Sequence, residues 1–177
     1  SHYHRLMTYG CSTAENIREV AWYRKQFIVP LEWKDKRVFI EFEGVFRDAA
    51  VWVNGTYQYR HCSGYTSFVL ELSDQLAFGE ENSIAVRVDS EQNEGWWYEG
   101  AGIYRHVWLF KTDLVSIDRY GIYAKPQKLD DSKWRVDCEV TLRNDGVTDT
   151  SATVKGRILD ADGKEIAISE GKTEILC

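Results

Sequence analysis

KRVFIEFEGVFRDAAVWVNGTYQYR, residues 36–60, decides the fold class. Near its start, Val38, Ile40 and Phe42 recur with a period of two, which places them on one face of a strand. Further on, Asn54-Gly55 stands between two aromatic-rich runs. Both residues tolerate the positive φ that a two-residue hairpin turn requires. The stretch therefore reads as β-strands joined by a tight hairpin.

The same period recurs on either side. AWYRKQFIVP (21–30) reads as a strand stopped by Pro30, since proline cannot donate to a ladder. SFVLELS (67–73) and NSIAVRVD (82–89) alternate again, and GIYRHVWLF (102–110) reads as one more strand. Which of Ile103, His106, Val107 and Leu109 face inward is left open by the pattern. Helical signals are weak. SDQLAFGEEN (73–82) reads as a short helical turn capped by Ser73 or Asp74, and CSTAENIREV (11–20) as one helical turn or plain loop. Short strands with turns between them make the chain all-β, a sandwich or jelly roll.

Near residue 112 the character changes. Aromatics thin out, and the strands lengthen and become polar on one face. WRVDCEVTLRNDG (134–146) directs Val136, Cys138, Val140 and Leu142 inward. In SATVKGRILDADGKEIAIS (151–169), Ala152, Val154 and Ile158 pair with Ile166 and Ile168 across Asp162-Gly163. This is one-faced antiparallel sheet of the immunoglobulin kind. The expected division is a jelly-roll domain over residues 1–113 and an immunoglobulin-like domain over 114–177. The second region supplies about four strands where such a sandwich needs about seven. The expectation is a partial sandwich with open edges and an exposed apolar face, cut short or completed by another chain.

Composition narrows the function classes. Of 177 residues, 44% are apolar, so a core can be buried, and the 14% aromatic share favours strands. The formal charge of −6 argues against nucleic acid and anionic membranes as partners. No apolar run approaches the roughly 18 residues of a membrane span, and SHYHRLMTYG at the start has no signal-peptide core. Cys11, Cys62, Cys138 and Cys177 show no CxxC spacing and read as free thiols or small buried hydrophobes. A Cys11–Cys62 disulfide is left open. There is no phosphate-cradling loop, no GxSxG elbow and no HExxH helix. No metal or cofactor is implied, and His2 and His4 would bind a metal only adventitiously. Asn54-Gly55-Thr56 also fits a glycosylation sequon, but the hairpin turn accounts for it.

In order along the chain stand AWYRKQFIVP, KRVFIEFEGVFRDAAVWVNG, GYTSFVLELSDQL, GEENSIAVRVD and EGWWYEGAGIYRHVWL. Together these resemble the N-terminal region of bacterial glycoside hydrolase family 2 enzymes, strongly over about residues 21–125, and the wording is nearest to the β-galactosidase-like members. Those enzymes are retaining exo-glycosidases, chiefly β-galactosidases, β-glucuronidases and β-mannosidases. The resemblance implies a galactose-binding-like jelly roll, then an immunoglobulin-like sandwich, then a (β/α)8 barrel carrying both catalytic glutamates. A barrel takes about 250 residues, and a retaining pair must sit about 5–5.5 Å apart on a rigid frame. The expectation is therefore a non-catalytic part of such an enzyme, inactive alone, with the barrel as its partner and a terminal β-glycoside as the parent's substrate. Sugar preference, oligomeric state and compartment (bacterial cytoplasm, periplasm or outside the cell) stay open. The competing classes are a stand-alone carbohydrate-binding module and a structural sandwich without a sugar role.

The candidate site is NEGWWYEGAGIYRHVWL, residues 93–109. Glu94 and Glu99 are either a binding or acid–base pair, or loop carboxylates that hold backbone and arginine. Trp96, Trp97 and Tyr98 either stack on sugar rings or plug a domain junction. The resemblance implies that this loop reaches toward the barrel's pocket. Some galactosidases place an Asp just ahead of the aromatic pair; Gly95 and Trp96 stand there in this chain. Gly100, Ala101 and Gly102 read as a turn needing positive φ or close backbone approach. Arg105 is expected to pair with Asp48 or Glu99, and His106 to be structural. Asp48, Trp52, Asn54 and Gly55 match a family signature, with Trp52 read as core and Asp48 as satisfying loop backbone.

Overall fold

The computed structural model describes residues 20–91 and 100–177 and the backbone of residues 2–7. It is all-β, and the helical elements among the described residues are two 3-10 turns, Leu31–Trp33 and Ser73–Gln75. Among these residues no helix is long and apolar enough to cross a membrane. The chain divides into two compact units, Ser1–Thr112 and Asp113–Cys177.

In the first unit the period-two strands build two four-stranded sheets. One joins β1 (His2–Met7), β10 (Val107–Thr112), β3 (Arg37–Phe42) and β7 (Phe68–Glu71) in that order. The other joins β2 (Val20–Ile28), β8 (Glu81–Asp89), β5 (Ala49–Val53) and β6 (Thr56–His61). All of these pairings are antiparallel. Val38, Ile40 and Phe42 are fully buried and meet Val51, Val53, Ile84 and Val86 in one core. Removing these side chains from water drives the sheets together at roughly 25 cal/mol per Å² of apolar surface. A short pair, β4 (Val45–Phe46) with β9 (Gly102–Ile103), closes one end.

The hairpin turn has the backbone that Asn-Gly calls for, with φ of 49° at Asn54 and 78° at Gly55. The expected helical turn after residue 73 is only a 3-10 turn without a side-chain cap. Ser73 does not cap it; its hydroxyl accepts the Val38 N–H at 3.0 Å and so serves the neighbouring strand. The single strand expected over 102–110 is broken into β9 and β10. The pairing shifts by one residue between them: Ile103 lies opposite Val45, and Val107 opposite Phe42. The Tyr104 N–H donates to the Gly44 carbonyl at 3.2 Å, in line with the β4–β9 register, and its hydroxyl donates to the Gly64 carbonyl at 2.8 Å. Gly44 has no Cβ because one would lie 2.6 Å from the Tyr104 ring.

The second unit is two hairpins. β11 (Val115–Lys128) pairs with β12 (Trp134–Asn144), and β13 (Thr150–Leu159) with β14 (Glu165–Ile175). Val136 and Cys138, expected inward, are exposed, as are Ile158, Ile166 and Ile168. The last hairpin also has a different register from the expected one. Ile168 lies opposite Arg157, and Ile158 opposite Ala167. The Asp160 carboxylate accepts the N–H groups of Asp162 and Lys164, which builds a longer loop than a two-residue turn. A slip of one residue moves a side chain to the other face. Cys62, Cys138 and Cys177 are free, exposed thiols.

Candidate functional site

Glu94, Trp96, Trp97, Tyr98 and Glu99 lie outside the described residues. The structure does define the frame on either side of them. β8 leads into the segment through Asp89, whose N–H donates to the carbonyls of Arg47 at 3.1 Å and Asp48 at 3.4 Å. The chain returns through Gly102, which lies opposite Phe46 in the β4–β9 pair. Both stems are therefore fastened to one bend, Phe46–Asp48, between β4 and β5. The bend is tight: the Phe46–Arg47 peptide is cis and Asp48 has φ of 47°. Gly102 carries the positive φ of the Gly-Ala-Gly run, 84°. Gly100 has open space around it, so close packing does not require glycine there. The Ile103 N–H is held by the Tyr23 hydroxyl at 3.3 Å.

Charge gathers at this bend. The Asp48 carboxylate takes two hydrogen bonds from Arg60, one from Nη2 at 2.6 Å and one from Nε. Arg87 donates to Asp89 at 2.8 Å. The fork from Arg60 holds the Asp48 carboxyl below the usual carboxylate range; burial opposes this, and the charges of Arg60, Arg87 and Arg47 add to it. A carboxylate engaged in this way stays ionised and is unsuited to proton transfer at neutral pH. Asp48 is thus a strut tying β5 to β6. Its expected partner, Arg105, instead lies over the Tyr104 ring, 5.8 Å from its centre.

The sign of the pH effect follows. A carboxyl with a lowered folded pKa stabilises the fold above its unfolded value of about 3.9 and loses that contribution as pH falls through the folded value. Thermal melts of the wild type should therefore drop more steeply below about pH 4 than melts of Asp48→Asn. Parallel curves would show that the pair contributes nothing.

His106 sits just before β10 rather than on a strand, and it is not isolated. Its Nδ1 donates to Glu43 at 2.9 Å, and Trp108 Nε1 donates to the other carboxylate oxygen at 2.8 Å. Burial pushes Glu43 up, but the bonds from Trp108 and His106 outweigh it and hold the carboxyl low. Trp52 is a correction. It is not core but half-buried on the outer face of its sheet, because Val51 and Val53 take the two inward positions around it. There it meets Trp22, ring centres 5.2 Å apart, and the edge of Tyr57. Asn54 and Gly55 lie at the hairpin tip, where Asn54 is bonded to Ser83 and Asn82. Among the described residues no cluster of His, Cys, Asp or Glu could hold a metal ion.

Glu43 and Trp22 went unread in the sequence. Parity along AWYRKQFIVP would have placed Trp22 opposite to Tyr23 and Phe27. Nothing local to Glu43 announces its two donors, which stand more than sixty residues away.

Residues 6–113 match the family model described as the sugar binding domain of glycosyl hydrolases family 2. The chain belongs to glycosyl hydrolase family 2. Among its family 2 relatives, the beta-galactosidase BoGH2A of Bacteroides ovatus is 37% identical over 156 residues, covering 88% of this chain and 18% of that protein. A beta-glucuronidase of Formosa agariphila is 31% identical over 179 residues, covering 89% of this chain and 18% of its own length. A solved structure of a family 2 member from Bacteroides cellulosilyticus superposes with a TM-score of 0.87 at 32% identity, over 93% of this chain and 23% of that one. The chain thus spans about a fifth of the length of the family 2 relatives it matches.

Proposed function

We propose that this chain is the non-catalytic sugar-binding part of a retaining exo-β-glycosidase of the β-galactosidase kind. Its first unit, a jelly roll, lends a wall to an active site whose catalytic glutamates lie on a barrel elsewhere in the parent. The second unit is the opening of an immunoglobulin-like sandwich. The parent cleaves terminal β-linked sugars by the two-step retaining route. One observation carries the reading: a family 2 sugar-binding match over residues 6–113 in a chain that covers 18% of BoGH2A. Support comes from the stems of 92–99, both fastened to the Phe46–Asp48 bend. A segment anchored at both ends on a rigid frame suits the positioning of aromatic side chains at a pocket mouth.

Assays with nitrophenyl β-galactoside test this. The chain alone is expected to give no turnover, and the full reading frame to give turnover. In the full protein, replacing both Trp96 and Trp97 by Ala should raise KM roughly tenfold or more, equivalent to about 1.4 kcal/mol. Turnover by the chain alone that survived repurification and was abolished by Glu99→Gln would overturn the reading.

A further inference from the structure

The outer face of the β2-β8-β5-β6 sheet carries a feature that the pocket-mouth role does not use. Across β2 and β8, Trp22 lies opposite Arg87 and Arg24 opposite Ala85. Ala85 lies in turn opposite Trp52 on β5, and Arg87 opposite Ala50. Opposed residues share a face, so two indoles stand diagonally on this surface with Ala85 and Arg87 of β8 between them. Ala85 is too small to fill its row between Arg24 and Trp52. The result is a groove of about 460 Å³, inside the range of about 300–1,000 Å³ usual for small-ligand sites. It runs past Ser83 to Gly55 in the hairpin turn, away from the end of β8 that leads into 92–99.

The groove's chemistry is mixed. Trp22 is 52% exposed, a large apolar face left in water. Its ring centre lies 5.2 Å from that of Trp52 with 35° between planes, so the two indoles pack on one another and the rest of Trp22 is left open. Arg24 lies over Trp22, 5.9 Å from the ring centre. Among the described residues the lining on this face includes one cation, Arg24, and no carboxylate. Gln26 and Ser83 add neutral hydrogen-bonding groups.

We infer that this groove binds a short anionic oligosaccharide, of β-linked pyranoses bearing uronate carboxylates or sulfate esters. The exposed surface of Trp22 takes the C–H face of a pyranose ring, the arrangement in which an amphipathic aromatic surface and a sugar both lose water-exposed apolar area. Arg24 takes the acidic substituent, with the guanidinium fork fitting a carboxylate or sulfate. Gln26 and Ser83 are placed to bond ring hydroxyls. A protein partner would call for a broader, flatter apolar patch. A single-stranded nucleic acid would call for a basic track, which a chain of this charge does not favour.

Calorimetric titration of the chain tests the inference. The probes are a hyaluronan tetrasaccharide, a neutral β-galactan tetrasaccharide and a single-stranded tetranucleotide. The acidic sugar should bind at least tenfold more tightly than the other two, and salt should weaken it. Trp22→Ala should weaken it at least tenfold. Arg24→Ala should bring the acidic and neutral sugars within twofold of each other. Trp96→Ala with Trp97→Ala should leave the affinity unchanged, which separates this groove from the pocket-mouth proposal. Matching melting temperatures confirm that each variant folds; should Trp22→Ala unfold, the exposed Arg24 change still decides. No binding of the acidic sugar, equal binding of the neutral sugar or tetranucleotide, or affinity indifferent to the groove substitutions would overturn the inference.

Discussion

Phe42→Ala should lower the unfolding free energy of the first unit by about 3–5 kcal/mol, the cost usual for emptying a large aromatic from a core. Phe42 is fully buried, and its ring stacks on Phe68 at 4.7 Å with 12° between planes. It lies on β3, with β10 on one side and β7 on the other. The backbone on both sides is held in ladders, so the walls of the cavity cannot easily collapse. Lost transfer energy and lost contacts therefore add. Against a total of roughly 5–15 kcal/mol for a domain, this change removes a large part of the stability. Urea denaturation followed by tryptophan fluorescence measures it. Phe42→Leu, which keeps most of the volume, should cost clearly less; equal losses would mean that the stacking and cavity account is wrong.

Asn82→Leu should cost about 3 kcal/mol although it places an apolar residue at a buried position. Asn82 is 1% exposed. Its side-chain oxygen accepts from the Ala77 N–H and from Asn54, both at 2.8 Å. Its amide donates to the Ala77 and Glu80 carbonyls at 2.8 and 3.1 Å. Leucine has similar bulk but strands these groups away from water. An unmet buried polar group costs about 1–3 kcal/mol each. The damage should extend to the hairpin, because Asn54 also ties to Ser83 and to the Gln75 carbonyl. Faster hydrogen exchange over residues 53–56 is the local readout. A variant as stable as the wild type, with hairpin exchange unchanged, would show that the network is incidental. Asn82→Asp, which keeps the acceptor and loses the donor, should fall between.

The candidate site was legible to different depths. The Asn54-Gly55 turn is a local matter: two residues that tolerate positive φ between alternating strands. The faces of β3 are also local, since the period of two alone separates Val38, Ile40 and Phe42 from their neighbours. Trp52 was misread because its aromatic character outweighed its parity; Val51 and Val53 had already taken the inward positions. Of the two acids expected for Arg105, Asp48 is taken by Arg60 across the hairpin, a choice made by strand register, and Glu99 lies outside the described residues. The break between β9 and β10 is a one-residue shift in pairing against Phe42 and Val45, residues distant in sequence from it.

Sequence by itself determined the all-β class, the strands, the hairpin turn and the family, because each rests on residue order or on steric limits within a few neighbours. Tertiary structure alone decided which polar groups meet: Asp48 with Arg60, Glu43 with His106 and Trp108, Asn82 with the hairpin. It also set the two tryptophans side by side on the outer face. These are products of register and of bends in the chain, and they join residues separated by up to sixty-five positions. Hydrogen bonds act only over about 3 Å, so no pattern of spacing along a strand can foresee which of many distant partners the folded sheets bring within reach.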